Sequence, residues 1–318
     1  MQPGLTESPL DMQDVGVAAE LINLAYDDWR RLPRVDPYLP ESPPRVSPEE
    51  LLRAGDRGDI EWVSSLLVRD GDKPVGVVTM GAGDAIARLG WLAVHPDYRR
   101  RGLGRKLLDH VIVEARKANC TVLATMPYVD SRYEPAIRLF ESAGMIWADP
   151  DKCNMTMLRD PAFPPPGEPV LPQGFSLRTW QSGDEPNWTH IKNAAFGDET
   201  PVGWWQRVFG DRPDFDPNGW FFCLDGERPI GISSALLLSH PETSELLGCQ
   251  IEWVGMLPEY RGLGLGRALV TACVNYALPA HPHPFVLITQ RFRVEAVKLY
   301  ESLGFRAVMD WRSYRMAL

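Results

Sequence analysis

The chain has 318 residues, enough for two domains of ordinary size, each able to bury its own core. Its 44% hydrophobic and 24% charged residues are those of a globular protein, and no run of about 18 apolar residues marks a membrane span. The net charge of -9 argues against nucleic-acid binding, which rests on a basic face, and suits a cationic partner such as an amine as well as plain solubility.

The N-terminal stretch MQPGLTESPLDMQD lacks the basic patch and apolar run of a secretory signal, which points to a cytoplasmic protein. Val15–Tyr26 has helical spacing, and Ser47–Gly55 opens with the capping-box pair Ser47 and Glu50. Glu61–Ala82 reads as two strands around an Asp70–Gly71 turn, followed by a third strand over Ala87–Val94. A glycine-bearing stretch leads into a helix ending near Lys117. Next come a strand over Cys120–Met126, a helix capped by Gly144, and a closing strand over Cys153–Leu158. Asp160–Gly174 holds six prolines and two glycines without apolar periodicity, and reads as a stiff linker.

The same order of elements then repeats. Phe175–Trp180 is a strand and Pro186–Phe196 a helix. Gly219–Leu238 gives two strands around Asp225–Gly226, and Cys249–Met256 a third. Gly266–Leu278 is a helix, Pro284–Thr289 a strand, Val294–Gly304 a helix capped by Gly304, and Trp311–Leu318 closes the chain. Repetition on this scale is the duplication of a whole α/β domain. The expected organisation is a first domain over 1–159, a linker over 160–174 and a second domain over 175–318, each a central mixed β-sheet flanked by helices. One such chain supplies two copies of the fold, as a dimer would, so a monomer is compatible with the sequence.

Tyr98–Leu108, YRRRGLGRKLL, and Tyr260–Val270, YRGLGLGRALV, are the most alike parts of the two halves. Each places an R-x-x-G-x-G pattern between a strand and a helix. Glycines allow close backbone approach, and a helix start offers free N–H groups and the positive end of its dipole. The pair makes an anion site suited to a pyrophosphate, with Arg261 and Arg267 adding charge at its rim. The P-loop pattern is absent, and Gly262, Gly264 and Gly266 miss the dinucleotide spacing.

These stretches, with Ala296–Phe305, resemble the acyl-CoA-binding and second signatures of the GCN5-related N-acetyltransferase family. The resemblance covers most of both halves and is weak over 1–61. It implies acetyl-CoA as cosubstrate, its pyrophosphate on the loop and its pantetheine arm along the preceding strand. Carried over, that names Val254, Gly255, Met256, Arg261, Gly262, Leu263, Gly264, Leu265, Gly266, Arg267 and Arg293 in the second half. In the first half it names Leu92, Val94, Arg99, Arg100, Arg101, Gly102, Leu103, Gly104 and Arg105. Where the family often has a pantetheine-contacting Asn, this chain has Arg293 and, in the first half, Tyr133.

Acyl transfer to an amine needs a base, an oxyanion donor and an acid for the leaving thiolate. Aligning the loops sets Glu252, a carboxylate in an apolar strand, against Gly90, and Gln250 against Arg88. Aligning the later helices sets Tyr300, the family's acid position, against Phe140. Glu252 is the candidate base and Tyr300 the candidate acid. The expectation is one catalytic domain, the second, and a first domain that either binds coenzyme A or only shapes the site. The expected acceptor is a small-molecule amine. A noncatalytic acyl-CoA-binding protein and an acetyltransferase of protein N-termini or lysines remain open alternatives.

Other features carry less. Cys120, Cys153, Cys223, Cys249 and Cys273 show no paired spacing, so reduced thiols are expected and neither zinc nor disulfides. Trp204, Trp205 and Trp220 read as core first and as acceptor-pocket wall second. Arg30–Arg45 reads as a proline-rich cover or connector, and His281–Pro284 as a turn.

Overall fold

The computed structural model describes residues 4–32, 45–126, 129–160, 162–210, 215–239, 246–278 and 285–318. They form two compact units. One holds the described residues up to Asn154 together with Met309–Leu318; the other holds those of Met155–Val308. Most of Arg30–Arg45 and all of His281–Pro284 lie outside the described residues.

The first unit's sheet runs Leu5–Pro9, Leu66–Asp70, Lys73–Ala82, Ile86–Val94, Val122–Thr125, Tyr314–Ala317, Ile146–Trp147. Its strands are antiparallel neighbours except Ile86–Val94 and Val122–Thr125, which are parallel. Both faces are covered, which is why Val75–Gly81 is buried without alternation. Val77 and Ala93 pack with helices Val15–Ala25 and Pro48–Asp56 on one face. Val78 and Leu89 pack with helices Leu103–Lys117 and Glu134–Ser142 on the other.

The second unit's sheet runs Phe305–Arg312, Asn154–Arg159, Phe285–Gln290, Leu246–Met256, Arg228–Ser239, Trp220–Asp225, Phe175–Thr179. Helices Leu265–Ala277 and Val294–Ser302 cover one face. Helix Glu185–Phe196 and an aromatic cluster cover the other. Each unit is a mixed sheet flanked by helices, and the short reverse turns fall where the sequence puts them, with Gly71 and Gly226 left-handed.

The strands that close each half sit where local pattern does not place them. Asn154–Arg159 belongs to the second unit's sheet, where Met155 and Met157 enter its core. Tyr314–Ala317 belongs to the first unit's sheet, between Val122–Thr125 and Ile146–Trp147. Alternating apolar residues specify a face, not which of two similar sheet edges is filled. The contact boundaries therefore fall at Asn154 and Val308, where the sequence boundaries fall at 159 and 175.

The proline-rich stretch has neither helix nor strand, yet its described residues are fastened to the second unit. The guanidinium of Arg159 donates to the carbonyls of Leu303 (3.1 Å), Phe163 (3.1 Å) and Pro164 (2.7 Å). The amide of Asn275 donates to the Gly167 carbonyl at 2.8 Å. Phe163 packs so close to Gly304 (φ 89°) that a Cβ there would fall 2.3 Å from its ring.

Tyr314 is fully buried, stacks obliquely on Phe140 at 5.5 Å, and receives Thr125 Oγ1 as acceptor for its N–H at 2.9 Å. Tyr314→Ala should lower the stability of the first unit by about 3–5 kcal/mol, read as a shifted denaturant midpoint.

Candidate active site

Both glycine loops lead through left-handed turns into a helix start. Gly262 and Gly264 are left-handed (φ 82° and 78°), and Leu265 begins the helix. Among the described residues no acceptor is recorded for the N–H groups of residues 262–266; residues 262–264 are exposed, Gly266 is half-buried and Leu265 is buried. A Cβ at Gly266 would meet only Leu299, at 3.6 Å, so the loop's mouth is not filled from within. The first unit repeats this over residues 100–105, with Arg100 at φ 59° and Gly102 at 86°. Unsatisfied backbone donors at a helix start are suited to a phosphate group.

The loop arginines also bond to the protein itself. Arg261 donates to the Ala195 carbonyl at 3.1 Å. Arg99 donates to the Ala25 carbonyl at 2.6 Å and pairs with Asp28. Each ties its loop to the end of the preceding helix. Arg267 is held by Ser302 Oγ at 3.1 Å, and Arg105 by the Ser142 carbonyl at 3.0 Å. The ring of Tyr98 carries Arg101 at 5.4 Å.

Before each loop the sheet opens. Leu246–Met256 pairs with Phe285–Gln290 only over Cys249–Ile251, and Ile86–Val94 pairs with Val122–Thr125 only over Ile86–Leu89. Beyond those points no ladder is recorded between the two strands: in the second unit both continue, and in the first Val122–Thr125 ends while Ile86–Val94 runs on. The edge of residues 252–256, which includes Val254, Gly255 and Met256, can therefore hydrogen-bond an extended, amide-bearing arm, as a sheet edge takes an added strand. A β-bulge marks the same place in both units: the register skips between Ile232↔Gly255 and Ser234↔Glu252, and between Val78↔Leu92 and Met80↔Leu89. In the second unit the bulge carries strain, with Trp253 at φ 56°.

Glu252 stands at this bulge, half-buried, and its Oε1 accepts from Gln250 Nε2 at 2.7 Å. Gln250 is 3% exposed, and its own Oε1 has no partner among the described residues. The first unit cannot hold the same group. A Cβ at Gly90 would lie 2.3 Å from Thr79 Oγ1, the atom that accepts the Trp91 N–H at 2.8 Å.

Tyr300 is 6% exposed on helix Val294–Ser302. Burial raises the pKa of its hydroxyl far above the ordinary phenol range, with Arg293 opposing and Cys273 adding to the rise. It makes no recorded hydrogen bond to the described residues, and its ring meets Phe305 edge-on at 6.3 Å. Phe140 occupies the matching buried position in the first unit. Arg293 donates to Gln290 Oε1 at 3.1 Å and lies over the rings of Phe196 and Phe292, each at 5.1 Å.

Sequence reasoning missed the group that surrounds Trp253. Lys192 is 3% exposed, with its ammonium over the rings of Trp204 (5.3 Å) and Trp253 (5.5 Å). The signal was available, because the duplicated helix has Ile22 at this position. Trp205 and Trp220 are core, each 2% exposed, with Trp205 stacked on Trp180 at 4.1 Å. Burial pushes the Cys273 thiol up to about 12 and the Cys249 thiol higher still, so neither supplies a thiolate. Among the described residues no cluster of His, Cys, Asp and Glu could hold a metal, and no helix is long and apolar enough to cross a membrane. Gly90→Ala should destabilise the first unit by about 1–3 kcal/mol through the clash with Thr79, seen as a lowered melting temperature.

The acetyltransferase (GNAT) family matches this chain twice, over residues 18–145 and 177–305. A mycothiol acetyltransferase of Thermobispora bispora is 31% identical over 81% of this chain and 85% of its own length. One from Geodermatophilus obscurus is 33% identical over 74% and 76%. In fold, a GCN5-related N-acetyltransferase from Sphaerobacter thermophilus superposes over 100% of this chain and 96% of its own, with TM-score 0.62 and 20% identity. A tandem GNAT protein from the clavulanic acid biosynthesis pathway does so over 98% of each chain, with TM-score 0.59 and 20% identity.

Proposed function

We propose that this chain, which belongs to the acetyltransferase (GNAT) family along both of its halves, moves an acetyl group from acetyl-CoA to a small-molecule amine, and that its second unit alone performs the chemistry. The observation that carries the reading is an asymmetry. The second unit sets Glu252 beside an open strand edge and carries, on helix Val294–Ser302, the buried residue Tyr300, whose hydroxyl has no recorded hydrogen bond among the described residues; the first unit has Gly90 and Phe140 at these places.

The residues fit the cosubstrate. The free N–H groups of residues 262–266 would hold its pyrophosphate, and the edge of residues 252–256 its pantetheine arm. Glu252, directly or through one water, accepts a proton from the ammonium and frees the nitrogen lone pair. The amine nitrogen then bonds to the thioester carbonyl carbon. Backbone N–H groups at the bulge stabilise the oxygen as it gains charge. As the C–S bond breaks, Tyr300 gives its proton to the sulfur and regains one from the nitrogen, whose loss of that second proton completes the amide; burial keeps the proton on the hydroxyl until the thiolate forms. The names of the relatives point to the deacetylated amine form of mycothiol as the first acceptor to try.

The first unit's slot is filled by its own side chains. Tyr26 donates from its hydroxyl to the Leu92 carbonyl at 3.4 Å. Trp29 stacks on Tyr133 at 5.6 Å and donates to Asp130 Oδ2 at 3.0 Å, while Asp28 holds Arg99. The second unit's counterpart of Tyr26 is Phe196, which has no hydroxyl to cap Val254. On this reading Leu92, Val94 and the loop Arg99–Arg105 keep the shape of the cofactor site without admitting the arm.

Thiol release from acetyl-CoA across a panel of amines should single out one acceptor class. Glu252→Gln and Tyr300→Phe should each lower kcat by roughly 100-fold. Full activity in both would move the chemistry elsewhere, and binding without turnover for any amine would favour an acyl-CoA sensor. Equilibrium dialysis with coenzyme A should give one equivalent per chain, lost in Gly266→Glu and kept in Gly104→Glu. Two equivalents would show that the first unit also binds.

A further inference from the structure

Buried lysines need a reason, and the duplication supplies a control. Helix Val15–Ala25 presents fully buried Ile22 to the first unit's core; helix Glu185–Phe196 presents Lys192 at the same place. The ammonium is not left bare. It pairs with Asp198 at 2.6 Å, donates to Thr200 Oγ1, and sits against the faces of Trp204 and Trp253. Asn193 fixes that loop from the same helix, bonding the Thr200 backbone through both its N–H (3.1 Å) and its carbonyl (2.8 Å).

What the ammonium touches is the strained residue. Trp253 has a left-handed backbone, unfavourable for a bulky side chain, and persists only where its surroundings over-determine it. Its ring is enclosed by Trp188 at 5.5 Å, Phe196 at 5.8 Å and Trp204 at 5.9 Å, with Lys192 above. The first unit's Trp91 needs no such clamp: its φ is ordinary, and Thr79 fixes its N–H. A desolvated cation on an aromatic face is a strong and directional contact. Turning the peptide at Trp253 turns the adjoining Glu252 and the N–H groups that follow.

We propose that Lys192 is a positioning residue: by clamping the Trp253 ring it holds the bulge in the backbone conformation that aims Glu252 and the strand's N–H groups at the reacting carbonyl. The inference rests on the assignment of Glu252 as base. It deepens that assignment by adding the residue that sets the base's geometry.

The test compares Lys192→Met, which keeps length without charge, with Lys192→Arg, which keeps the charge. Lys192→Met should lower kcat roughly tenfold while KM for acetyl-CoA stays within about twofold, and Lys192→Arg should restore most of the loss. In a Glu252→Gln background Lys192→Met should cost less than it does in the wild type, since part of its effect runs through that carboxylate. Near-ultraviolet circular dichroism should show the tryptophan cluster rearranged in Lys192→Met and retained in Lys192→Arg. If Lys192→Met does not fold, Asp198→Asn, at a largely exposed partner, should still lower kcat with KM unchanged. Unchanged kcat in the folded variants, or a loss that is undiminished in the Glu252→Gln background, overturns the proposal. A wild-type chain with no transferase activity but with the dichroism change would instead leave the clamp and remove the function assigned to it.

Discussion

Two parallel strands that pair for three residues and then part are the constraint on which the second unit turns. A sheet that stays closed has no spare backbone groups, and a sheet that never forms has no rigid ones. Pairing at Cys249–Ile251 fixes the strand, and parting after Ile251 frees five residues of its edge. The bulge at Trp253 falls at that boundary, and the helix that starts at Leu265 continues from it. Strand-edge amides and helix-start amides thus follow one another along a single stretch of chain, and the proposed function would use the first for an arm and the second for a phosphate. Backbone donors are preorganised and do not depend on long, flexible side chains.

The two copies show how far such a scaffold can diverge without changing shape. Both have the opening, the bulge and the loop with left-handed turns. What separates them is a handful of side chains at the opening. Gly90 is locked in by the Thr79 hydroxyl, while Ser234 at the matching place instead donates to the Glu252 carbonyl at 3.3 Å. Tyr26 turns its hydroxyl onto a strand carbonyl; Phe196 offers only its ring, beneath Arg293. The left-handed tryptophan, Trp253, occurs at the opening of the unit with the carboxylate, whereas Trp91 at the matching place is not left-handed.

Much of this was legible in the sequence because it rests on local rules. Glycines at 262, 264 and 304 announce left-handed turns, Ser47 and Glu50 a capping box, and the repeated order of elements a duplicated fold. The contrasts Glu252 against Gly90 and Tyr300 against Phe140 needed only an internal alignment. What was not legible is decided by packing. Arg261 and Arg99 read as phosphate ligands, and nothing local announces that their guanidinium groups also find helix-end carbonyls within reach. Asp160–Gly174 reads as a linker, because nothing in its own composition reveals that Arg159 will gather its carbonyls. Lys192 looks like a surface charge until the register of its helix turns it toward two indoles.

The placement of the last strand in each half bears on how the duplication has been kept. A polypeptide ended before Phe175 would retain Asn154–Arg159 without the sheet that strand completes, and would lack Tyr314–Ala317. A polypeptide begun at Phe175 would carry the opposite deficit. Neither half is a separable module, however inert its own pocket. With the terminal strands traded, deletion of either copy would unmake the sheet of the other, so both copies are retained by the architecture whatever each of them does.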